Sequence, residues 1–439
     1  MSSTNNDLPE GFKATELGPL PDEWEVAPIE ELAFVASGGS APQGEHYFSG
    51  NNPFVRVQHI ELDADRITEW NLITEQAVHD YRLRLFPKGT IVFPKSGASI
   101  YLEKRAILPI DAYIVSHLCA LSPKTEIADG SFLFHVLRYI RFAELKAEGY
   151  PTLNLSEIKV TRLPLPPLPE QKAIARILST IQKAVEAQDK IIAAARELKK
   201  SLMRHLFTYG PVLVSEADKV PLKETEIGQV PEHWQQTELG QIADIVYGVQ
   251  AAVANLTDSS IGIPILTNIN VRNDGMLDIS TLRYYPLPEN KRDKLVLKKG
   301  DVLFNWRSGS PQHVGKTAIF NLDGDYTFSS FILRFRANVD IIGNEHLFRY
   351  LNFLKGIGFF TDRRSQSSVN SVFNASLAAK IPVFMPPISE QTAIAMMLSS
   401  VDNKLETEEK RKAALQTLFR TMLHLLMTGK VRVKELSPA

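Results

Sequence analysis

The feature that most constrains the fold of this 439-residue chain is an internal repeat. Two short motifs recur 210 positions apart, Thr15–Gly18 with Thr225–Gly228 and Pro21–Trp24 with Pro231–Trp234. Self-similarity at a fixed spacing is typical of a duplicated structural unit. We therefore expect two copies of one module, each long enough to bury a core of its own.

Two further anchors recur in the same order along the chain. A Lys-Gly turn that leads into an apolar strand occurs at Lys88–Phe93 and at Lys299–Phe304. A proline pair followed by Glu-Gln occurs at Pro166–Gln171 and, 220 positions later, at Pro386–Gln391. Several anchors in one order make chance a poor explanation of the repeat.

The first part of each repeat, roughly 15–165 and 225–385, has the pattern of a globular domain. Short apolar runs such as Thr90–Phe93 and Phe328–Leu333 are separated by Gly, Pro and Asn, which is typical of strands and turns. Between them lie segments with helical periodicity, for example Phe132–Leu137. We therefore expect each globular part to mix α and β structure.

The second part of each repeat predicts one long helix. From Pro169 to Tyr209 there is no internal Gly or Pro, and apolar residues recur alternately three and four apart. The predicted seam is Ile174, Ile177, Ile181, Ala184, Gln188, Ile191, Ala195, Leu198, Leu202 and His205. Its counterpart is Ile394, Met397, Val401, Lys404, Glu408, Arg411, Leu415, Leu418, Met422 and Leu425.

Two interpretations of these seams are open. Each helix could pack only on its own domain, because an apolar stripe at this spacing suits any surface helix. Alternatively, two seams of matching period in one chain can bury each other as an antiparallel coiled coil. The duplication favours the coiled coil. A helix of some forty residues spans about 60 Å, which is longer than one domain of this size needs.

Charge and hydropathy exclude several classes of protein. Lys and Arg number 49 against 50 Asp and Glu, so global charge does not suit a protein that coats nucleic acid. No window holds the 18 apolar residues that a membrane span needs, and the N-terminus lacks the pattern of a secretory signal. The only cysteine, Cys119, has no disulfide partner. These features predict a cytoplasmic protein.

The duplicated anchors resemble those of the specificity subunit of type I restriction-modification systems. In that family a P-x-x-W motif, a K-G-D-[IV]-L strand, a Gly-Lys pair, an Asn turn and a P-P-L-x-E-Q helix start occur twice. The matching residues here are Pro21–Trp24, Pro231–Trp234, Lys299–Leu303, Gly315, Lys316, Asn154, Asn374, Pro166–Gln171 and Pro386–Gln391. The resemblance covers nearly the whole chain, and it is specific through the order and duplication of individually weak motifs.

The first copy departs from the family pattern at two places. Thr90 stands where the motif has Asp, and Leu102–Lys104 stands in place of Val314–Lys316. A residue that one copy lacks is a poor candidate for a shared catalytic role. The departures therefore favour a structural role for Asp301 and Lys316.

The resemblance implies a fold and a function. The expected fold class is α+β: two mixed α/β target-recognition domains, joined by two long helices that form an antiparallel coiled coil, with a pseudo-two-fold internal repeat. Each domain would read one half of a bipartite, asymmetric site on double-stranded DNA, and the helices would fix the gap between the halves. The expected boundaries are 1–165, 166–210, 211–385, 386–430 and a tail at 431–439.

The same resemblance implies partners that carry out the chemistry. They would be two S-adenosylmethionine-dependent adenine methyltransferase subunits and restriction-translocase subunits that use ATP and magnesium, so this chain would bind no cofactor or metal. The sequence agrees, since it has neither a Walker-type phosphate loop nor a [DNS]-P-P-[YF] motif. We therefore expect a non-catalytic subunit. The alternatives are a coiled-coil scaffold that does not bind DNA and, ranked last, an enzyme with an unrecognised site.

Candidate DNA contacts come from local basic clusters and from polar loops that differ between the copies. Lys and Arg bind phosphate, while Arg, Asn, Gln and Ser also read base edges. The main loops are Lys95–Ser99 with Asn305–Ser310, and Glu148–Thr152 with Arg363–Asn370. The candidates are Arg82, Arg84, Lys95, Ser96, Ser99, Lys104, Arg105, Tyr150, Thr152, Asn154, Asn305, Arg307, Ser308, Lys316, Arg363, Arg364, Gln366, Ser368, Asn370 and Asn374.

Overall fold

The computed structural model describes residues 8–62, 64–145, 152–250, 256, 261–363, 365–366 and 371–433. The chain divides into two compact units. The first unit is Met1–Asp189 with Lys410–Ala439, and the second unit is Lys190–Glu409. The boundary between the units falls inside two long helices, the first long helix at Leu168–Tyr209 and the second long helix at Ile388–Met427.

The globular part of the first unit is built mainly from short strands, as the apolar runs predict. Its strands are Phe12–Thr15, Gly18–Pro21, Glu25–Pro28, Ala33–Ser37, Asn52–Val55, Asn71–Ile73, Leu85–Phe86, Ile91–Pro94, Ala106–Ile107, Ala112–Ile114, Leu118–Pro123 and Arg162–Leu165. Its α-helices are Ile29–Leu32, Glu75–Asp80, Gly130–Tyr139 and Leu155–Val160. Short 3-10 helices lie at Glu45–Tyr47, Val57–His59, Ala98–Leu102 and Phe142–Leu145.

The second unit repeats this organisation. Its strands are Leu222–Thr225, Gly228–Pro231, Gln235–Glu238, Ala243–Tyr247, Ile263–Leu266, Arg283–Tyr285, Val302–Asn305, Arg307–Ser308, Thr317–Ile319, Thr327–Phe328, Ile332–Ala337, Ser365–Gln366, Ser371–Val372 and Pro382–Met385. Its α-helices are Leu239–Ile242, Arg292–Leu295, Asn344–Gly356, Phe359–Arg363 and Ala375–Ala379. Within the described ranges of this unit, 3-10 helices lie at Val214–Lys219, Glu289–Lys291 and Pro311–His313.

One four-stranded antiparallel sheet occupies the centre of each globular part. In the first unit its order is Ala33–Ser37, Leu118–Pro123, Ile91–Pro94 and Ala106–Ile107. In the second unit the order is Ala243–Tyr247, Ile332–Ala337, Val302–Asn305 and Thr317–Ile319. The inner strands Ile91–Pro94 and Val302–Asn305 are buried on both faces. This burial explains why their sequences are continuous apolar runs rich in β-branched and aromatic residues.

The two units differ at one polar pair beside this sheet. In the second unit the buried Asp301 carboxylate accepts two hydrogen bonds from Arg336, from Nε and from a terminal guanidinium nitrogen, each at 2.7 Å. In the first unit the corresponding residues are Thr90 and Ser122, whose hydroxyl groups lie 2.9 Å apart. A neutral pair thus takes the place of an ion pair, which agrees with a structural role for Asp301.

A tryptophan anchors each domain to the start of the long helix that follows it. The indole Nε1 of Trp24 donates to Glu170 at 3.0 Å, and that of Trp234 donates to Glu390 at 3.1 Å. Both indoles are fully buried, so each needs a hydrogen-bond acceptor. The P-x-x-W and P-P-x-x-E-Q motifs of each repeat are therefore parts of one contact.

The glutamine of each helix-start motif also connects the domain to the start of its long helix. Gln171 accepts a hydrogen bond from the Asp129 N–H and donates to the carbonyl oxygens of Ile127 and Pro166. In the second unit Gln391 accepts from the Gly343 N–H and donates to the carbonyl oxygens of Ile341 and Pro386. Each glutamine is buried and satisfies main-chain groups that would otherwise lack partners.

The long helices pair antiparallel within the first unit. Near the start of the first long helix, Glu170 binds Arg432, which follows the end of the second long helix. Nineteen residues further along the first helix, Asp189 binds Lys412, which precedes Arg432 by twenty residues. Ile174 of the first helix and several residues of the second, including Phe419, belong to one hydrophobic core with the domain.

The second unit contains a matching antiparallel pair. Lys199 binds Asp402 at 2.6 Å, while the earlier residue Arg196 binds the later residue Glu409 at 2.7 Å. Leu206 of the first long helix shares a core with Ile394 of the second. The predicted fold class, with two mixed domains and two long helices that pair antiparallel, is confirmed. Because the helices also pack on their domains, both interpretations of the seams describe part of the structure.

The phase of the predicted heptad seam was wrong by one residue at half of its positions. Predicted seam residues Ile191 and Leu198 are 44% and 59% exposed, whereas Leu178, Val185 and Ile192 are buried. The second long helix shows the same shift. Its buried residues are Leu398 and Phe419, each one position after the predicted seam residues Met397 and Leu418. Among the described residues, no helix combines the length and apolar character that a membrane span needs.

Candidate nucleic-acid interface

In the first unit, two loops that were predicted separately meet at the end of the central sheet. Ser96, just beyond the strand Ile91–Pro94, forms an antiparallel bridge with Thr152. The Leu153 N–H donates to the Lys95 carbonyl oxygen at 2.8 Å. The predicted loop Lys95–Ser99 therefore lies against the described end of the predicted segment Glu148–Thr152.

The second unit brings the corresponding loops together as a small sheet. The strand Arg307–Ser308 pairs with Ser371–Val372, which in turn pairs with Ser365–Gln366. The Phe373 N–H donates to the Trp306 carbonyl oxygen at 2.8 Å, as Leu153 does to Lys95 in the first unit. We call this region of each unit the paired-loop surface. It comprises residues 95–99, 117 and 152–154 in the first unit, and 306–310, 331 and 371–374 in the second.

The two paired-loop surfaces share a main-chain framework. The Lys95 N–H donates to the His117 carbonyl oxygen at 2.9 Å, and the Trp306 N–H donates to the Phe331 carbonyl oxygen at 3.3 Å. Beneath each framework lies a pair of phenylalanines with ring centroids 5.1 Å apart, Phe93 with Phe142 in the first unit and Phe304 with Phe360 in the second. The two surfaces therefore present side chains from equivalent positions.

The side chains that the first paired-loop surface presents are mainly polar. The Ser96 hydroxyl lies 2.6 Å from His117 Nδ1, and both residues are at least partly exposed. Ser99 folds back so that its hydroxyl donates to the Ser96 carbonyl oxygen at 3.3 Å. Lys95 and Thr152 are half-buried beside them. This surface offers hydroxyl and imidazole groups that can donate and accept hydrogen bonds.

The second paired-loop surface is aromatic and cationic. Trp306 donates through Nε1 to the Ser330 carbonyl oxygen at 2.6 Å, and its ring meets Tyr247 edge-on at 5.2 Å. The Arg307 guanidinium lies over the ring of Phe331, with 5.6 Å between its central carbon and the ring centroid. Phe331 is 40% exposed. This surface offers a planar set of donors supported by exposed ring area.

Two predicted contact residues fix the start of the helix that follows each surface. Asn374 accepts a hydrogen bond from the Leu377 N–H at 3.0 Å, and Asn154 forms a capping box with Glu157. A cap of this kind stabilises a short helix by about 1 kcal/mol. Both asparagines therefore have a structural role that accounts for their recurrence in the motif.

Four other predicted contact residues lie inside the domains. Arg105 is 4% exposed, pairs with Glu103 and contacts the rings of Phe93 and Phe142. Burial lowers the pKa of its guanidinium. The others are buried residues of the second unit: Asn305 donates to the His313 carbonyl oxygen, Lys316 donates to the Asn268 carbonyl oxygen, and Ser308 accepts from the Ser310 N–H. These groups support the loops rather than face solvent.

The remaining basic candidates of the first unit are at least partly exposed. Lys104 is half-buried next to Arg105. Arg82 and Arg84 are exposed and precede Leu85–Phe86, an edge strand of the other four-stranded sheet of the unit. The Arg84 guanidinium lies 5.5 Å from the Phe86 ring centroid. The structure thus does not gather all basic candidates into the paired-loop surface.

Six candidates lie at positions whose side chains the structure does not describe. Tyr150, Arg364, Ser368 and Asn370 lie outside the described residues. Arg363 ends the helix Phe359–Arg363, and Gln366 lies in the strand Ser365–Gln366, each described by its backbone alone. These six residues remain predictions.

Two residues of the paired-loop surfaces, His117 and Phe331, were absent from the predicted contacts. Both occupy the same position in the repeat, because Ser116–Leu118 aligns with Ser330–Ile332 and the two strands that follow are equivalent. An alignment of the two copies through this turn would have singled them out as a difference at an exposed position.

The described residues provide no evident catalytic chemistry. None of them forms a group of three or more His, Cys, Asp or Glu that could hold a metal ion. Cys119 is fully buried, and burial raises the pKa of its thiol to about 12, which disfavours the reactive thiolate. Burial also lowers the pKa of His135 and His346 to about 3, so both imidazoles are neutral at physiological pH.

Comparison with protein families gives a match to most of the chain. The model of the type I restriction modification DNA specificity domain matches residues 21–196 and again residues 231–417. The two matches begin 210 positions apart, which is the spacing of the first anchors of the repeat.

Individual proteins and solved structures resemble the chain over nearly its full length. It is 26% identical to the type I restriction enzyme MjaVIII specificity subunit of Methanocaldococcus jannaschii, over 98% of this chain and 97% of that protein. It is 21% identical to the EcoKI specificity subunit of Escherichia coli K12, over 90% of this chain and 85% of that protein. A crystal structure of a type I restriction-modification S subunit from M. genitalium superposes with a TM-score of 0.56 at 16% identity, covering 92% of this chain and 96% of that one. At that identity the likeness concerns the fold.

Proposed function

The chain belongs to the type I restriction modification DNA specificity family, and on that premise we propose that it reads a bipartite, asymmetric site on double-stranded DNA. Membership makes it a specificity subunit, which recognises DNA sequence within a restriction-modification complex and is not itself an enzyme. We propose further that each unit reads one half of the site through its paired-loop surface.

One observation carries this proposal. Two equivalent main-chain frameworks, held by equivalent hydrogen bonds, present different side chains to solvent. The first presents Ser96 and His117, and the second presents Arg307 and Phe331. Base edges are distinguished by the pattern of donors, acceptors and methyl groups that they present. Different side chains on one framework are what two unlike half-sites require.

The chemistry is assigned to partner subunits. The family membership places the chain in a complex with other restriction-modification subunits and DNA. We propose that these are two adenine methyltransferase subunits, which use S-adenosylmethionine, and restriction-translocase subunits, which use ATP and magnesium. The chain would bind none of these cofactors itself. Such a complex would act on DNA in the cytoplasm.

The proposal also assigns a part to each segment of the chain. Residues 1–165 and 211–385 would be the two target-recognition domains, 166–210 and 386–430 the two helical segments, and 431–439 a tail. Because each long helix is continuous through a unit boundary, the helices are proposed to set the gap between the half-sites. The exposed candidates Arg82, Arg84 and Lys104 are proposed to contact phosphates, which fixes position without reading sequence.

Methylome sequencing of the host, with and without this gene, tests the proposal. The expected result is one adenine-methylation motif with two short specified parts and an unspecified gap, present with the gene and absent without it. An unchanged methylome in a host whose partner methyltransferase is expressed would contradict the proposal.

Binding of the purified complex to duplex DNA separates this function from the alternative of a scaffold that does not bind DNA. Contacts to phosphates release counterions, so binding should weaken steeply between 50 and 200 mM salt, by on the order of a thousandfold or more for six or more contacts. A scaffold would show no salt-sensitive shift of duplex fragments. The family match supports DNA recognition and gives no support to the scaffold.

A further inference from the structure

Two neighbouring apolar side chains are exposed beside the first paired-loop surface. Tyr101 is 59% exposed and Leu102 is 52% exposed. They end the 3-10 helix Ala98–Leu102, which begins within the loop Lys95–Ser99. We call these two residues the apolar tip. Single exposed apolar side chains are common on protein surfaces, but neighbouring ones bordered by polar residues mark a site where a partner binds.

The second unit shows that the fold does not require this exposure. Alignment of the two copies through the Gly-Lys pair of the second places Val314 opposite Leu102. Val314 is 4% exposed and belongs to the hydrophobic core of its unit. The same position is therefore buried in one copy and exposed in the other. The exposure of Leu102 is specific to the first unit, as expected for a residue that binds something there.

The backbone on both sides of the apolar tip is fixed by contacts within the unit. Ile100, which precedes the tip, is buried in the hydrophobic core. Glu103, which follows the tip, has a left-handed backbone with φ 48°, a conformation that its counterpart Gly315 adopts without a side chain. The Glu103 carboxylate accepts a hydrogen bond from the Ala143 N–H at 2.8 Å and pairs with the buried Arg105. Residues other than glycine seldom adopt this conformation, and these two contacts hold it here.

The charge around the apolar tip suits an anionic partner. Lys95 and Lys104 are half-buried on either side of it along the chain, and the only acidic residue between them in the sequence is Glu103. The charge of Glu103 is compensated by Arg105. The tip therefore fits a partner with an apolar interior and an anionic periphery. Duplex DNA has this arrangement, since its stacked bases lie between two rows of phosphates.

We propose that the apolar tip is a wedge that enters the base stack at one step of the half-site read by the first unit. Leu102 inserts between two base pairs, and the ring of Tyr101 covers the base face that the opened step exposes. Such insertion kinks the duplex by about 20–90° and is easiest at a flexible pyrimidine–purine step. The first unit thereby recognises DNA deformability as well as base edges. This inference rests on the proposed function and assigns two further DNA-binding residues to it.

Fluorescence of 2-aminopurine in duplex DNA tests the inference, because this base emits strongly only when it is unstacked. The full chain, in complex with its methyltransferase partners, is bound to duplexes that carry 2-aminopurine at successive positions of one half-site, the target adenine excepted. That half-site is the one that an exchange of residues 15–165 alters. Emission should rise at one step with the unaltered chain, and Leu102→Ala should abolish the rise. Leu102→Met keeps a side chain of similar volume and should preserve it.

Bending and affinity provide two further readouts. The bend, measured by energy transfer between dyes at the ends of the duplex, should fall by about 20° or more in Leu102→Ala. Tyr101→Ala should lower the affinity for the site by about 5- to 150-fold, since it removes the stacking of one ring on one base, whereas Tyr101→Phe should not.

Phe34→Ala is the matched control. Phe34 is also an exposed apolar residue of the first unit, at 63%, but it pairs with Ser122 at the other end of the central sheet from the paired-loop surface. Its replacement should change neither the emission nor the bend. Because Tyr101 and Leu102 are also exposed, each variant should unfold at the temperature of the unaltered chain, which shows that it has folded.

Three outcomes would overturn the inference. No step of that half-site could become unstacked, Leu102→Ala could leave the emission and the bend as they are with the unaltered chain, or the variants could prevent assembly with the methyltransferase. The last result would make the apolar tip a contact between subunits. Absence of specific binding to duplex DNA by the unaltered complex would instead contradict the proposed function, so the two failures are distinguishable.

Discussion

The Asp301–Arg336 ion pair permits a prediction in which the first unit serves as the template. Asp301 is 1% exposed and accepts both hydrogen bonds from Arg336 and a third from the Lys298 N–H at 2.7 Å. The first unit has Thr90 and Ser122 at the pair, and Pro87, which has no N–H, in place of Lys298. We therefore compare Asp301→Thr, Arg336→Ser, the double variant, and the triple variant that adds Lys298→Pro.

The expected loss of unfolding free energy depends on which charged or polar group each variant leaves without a partner. Breaking a buried ion pair by removing one partner costs about 3–5 kcal/mol, because the other charge stays uncompensated. The Arg336 side chain is 27% exposed, so Asp301→Thr should lie at the lower end, about 3 kcal/mol. The double variant removes both charges and should lose about 1 kcal/mol, mainly from the unpaired Lys298 N–H. The triple variant should recover most of that loss.

Native-state hydrogen exchange measures the effect within the affected unit. Protection of the strand Val302–Asn305 reports the opening free energy of the second unit, while Ile91–Pro94 reports that of the first and serves as the internal control. Single losses of about 3 kcal/mol or more each, against a double-variant loss of about 1 kcal/mol, give a coupling energy between positions 301 and 336 of about 5 kcal/mol or more. Additive single and double variants, or an Asp301→Thr cost under about 1 kcal/mol, would refute the assignment of this pair as structural.

Three further predictions concern the helices, the loops and the chemistry. Four residues inserted after Gln188 add about 6 Å to the first long helix, close to two base-pair steps, so methylome sequencing should show unaltered half-sites and a longer gap; an unaltered gap with activity retained would mean that the helices do not set it. Glu103 has a left-handed backbone (φ 48°), so Glu103→Gly should relieve about 1 kcal/mol of strain yet leave the buried Arg105 unpaired, at about 3 kcal/mol or more. Thermal unfolding should therefore show a net loss, and a stabilised variant would refute this balance. The purified chain alone should show no turnover with S-adenosylmethionine, or with ATP and magnesium; turnover would contradict the non-catalytic assignment.

The sequence predicted best the features that recur in both copies. It predicted least well the features that depend on which side chains are buried. The duplicated anchors predicted the two domains, the strands that begin after Lys-Gly, and the helices that follow the proline pairs. Those features depend on local chemistry, such as turn residues and apolar periodicity, which one chain displays twice. The sequence also singled out the two loops that the structure brings together, since both are polar and differ between otherwise matching copies; their contact with DNA stays a prediction.

The helical seam shows that periodicity alone does not fix which of two neighbouring apolar positions is buried. Spacings of three and four fix the period, but a helix with apolar residues at neighbouring positions, such as Ile177 and Leu178, offers two phases. The structure buries Leu178 and Ile192, while Ile191 is exposed. Which phase is used depends on contacts with the domain as well as with the partner helix, and that information is tertiary.

Burial also separates the basic residues in a way that their sequence does not. Lys104 and Arg105 are neighbours in one cluster, yet Arg105 points inward to Glu103 and the two phenylalanines below the loop. Lys316 likewise lies inside the second unit, where it donates to a carbonyl oxygen. A cluster of positive charge in the sequence therefore does not show which of its members are exposed and which support the loop from within the domain; which of them contact DNA stays a prediction.

Exchange of residues 15–165 for the equivalent domain of a relative with a different recognition site tests the central claim most directly. The claim is that each unit reads one half-site independently, since contacts with base edges are local. Methylome sequencing of the hybrid should show one half-site replaced by that of the relative, with the other half-site and the gap unaltered. A hybrid that alters both half-sites together, or that leaves both as they were while still directing methylation, would contradict the account.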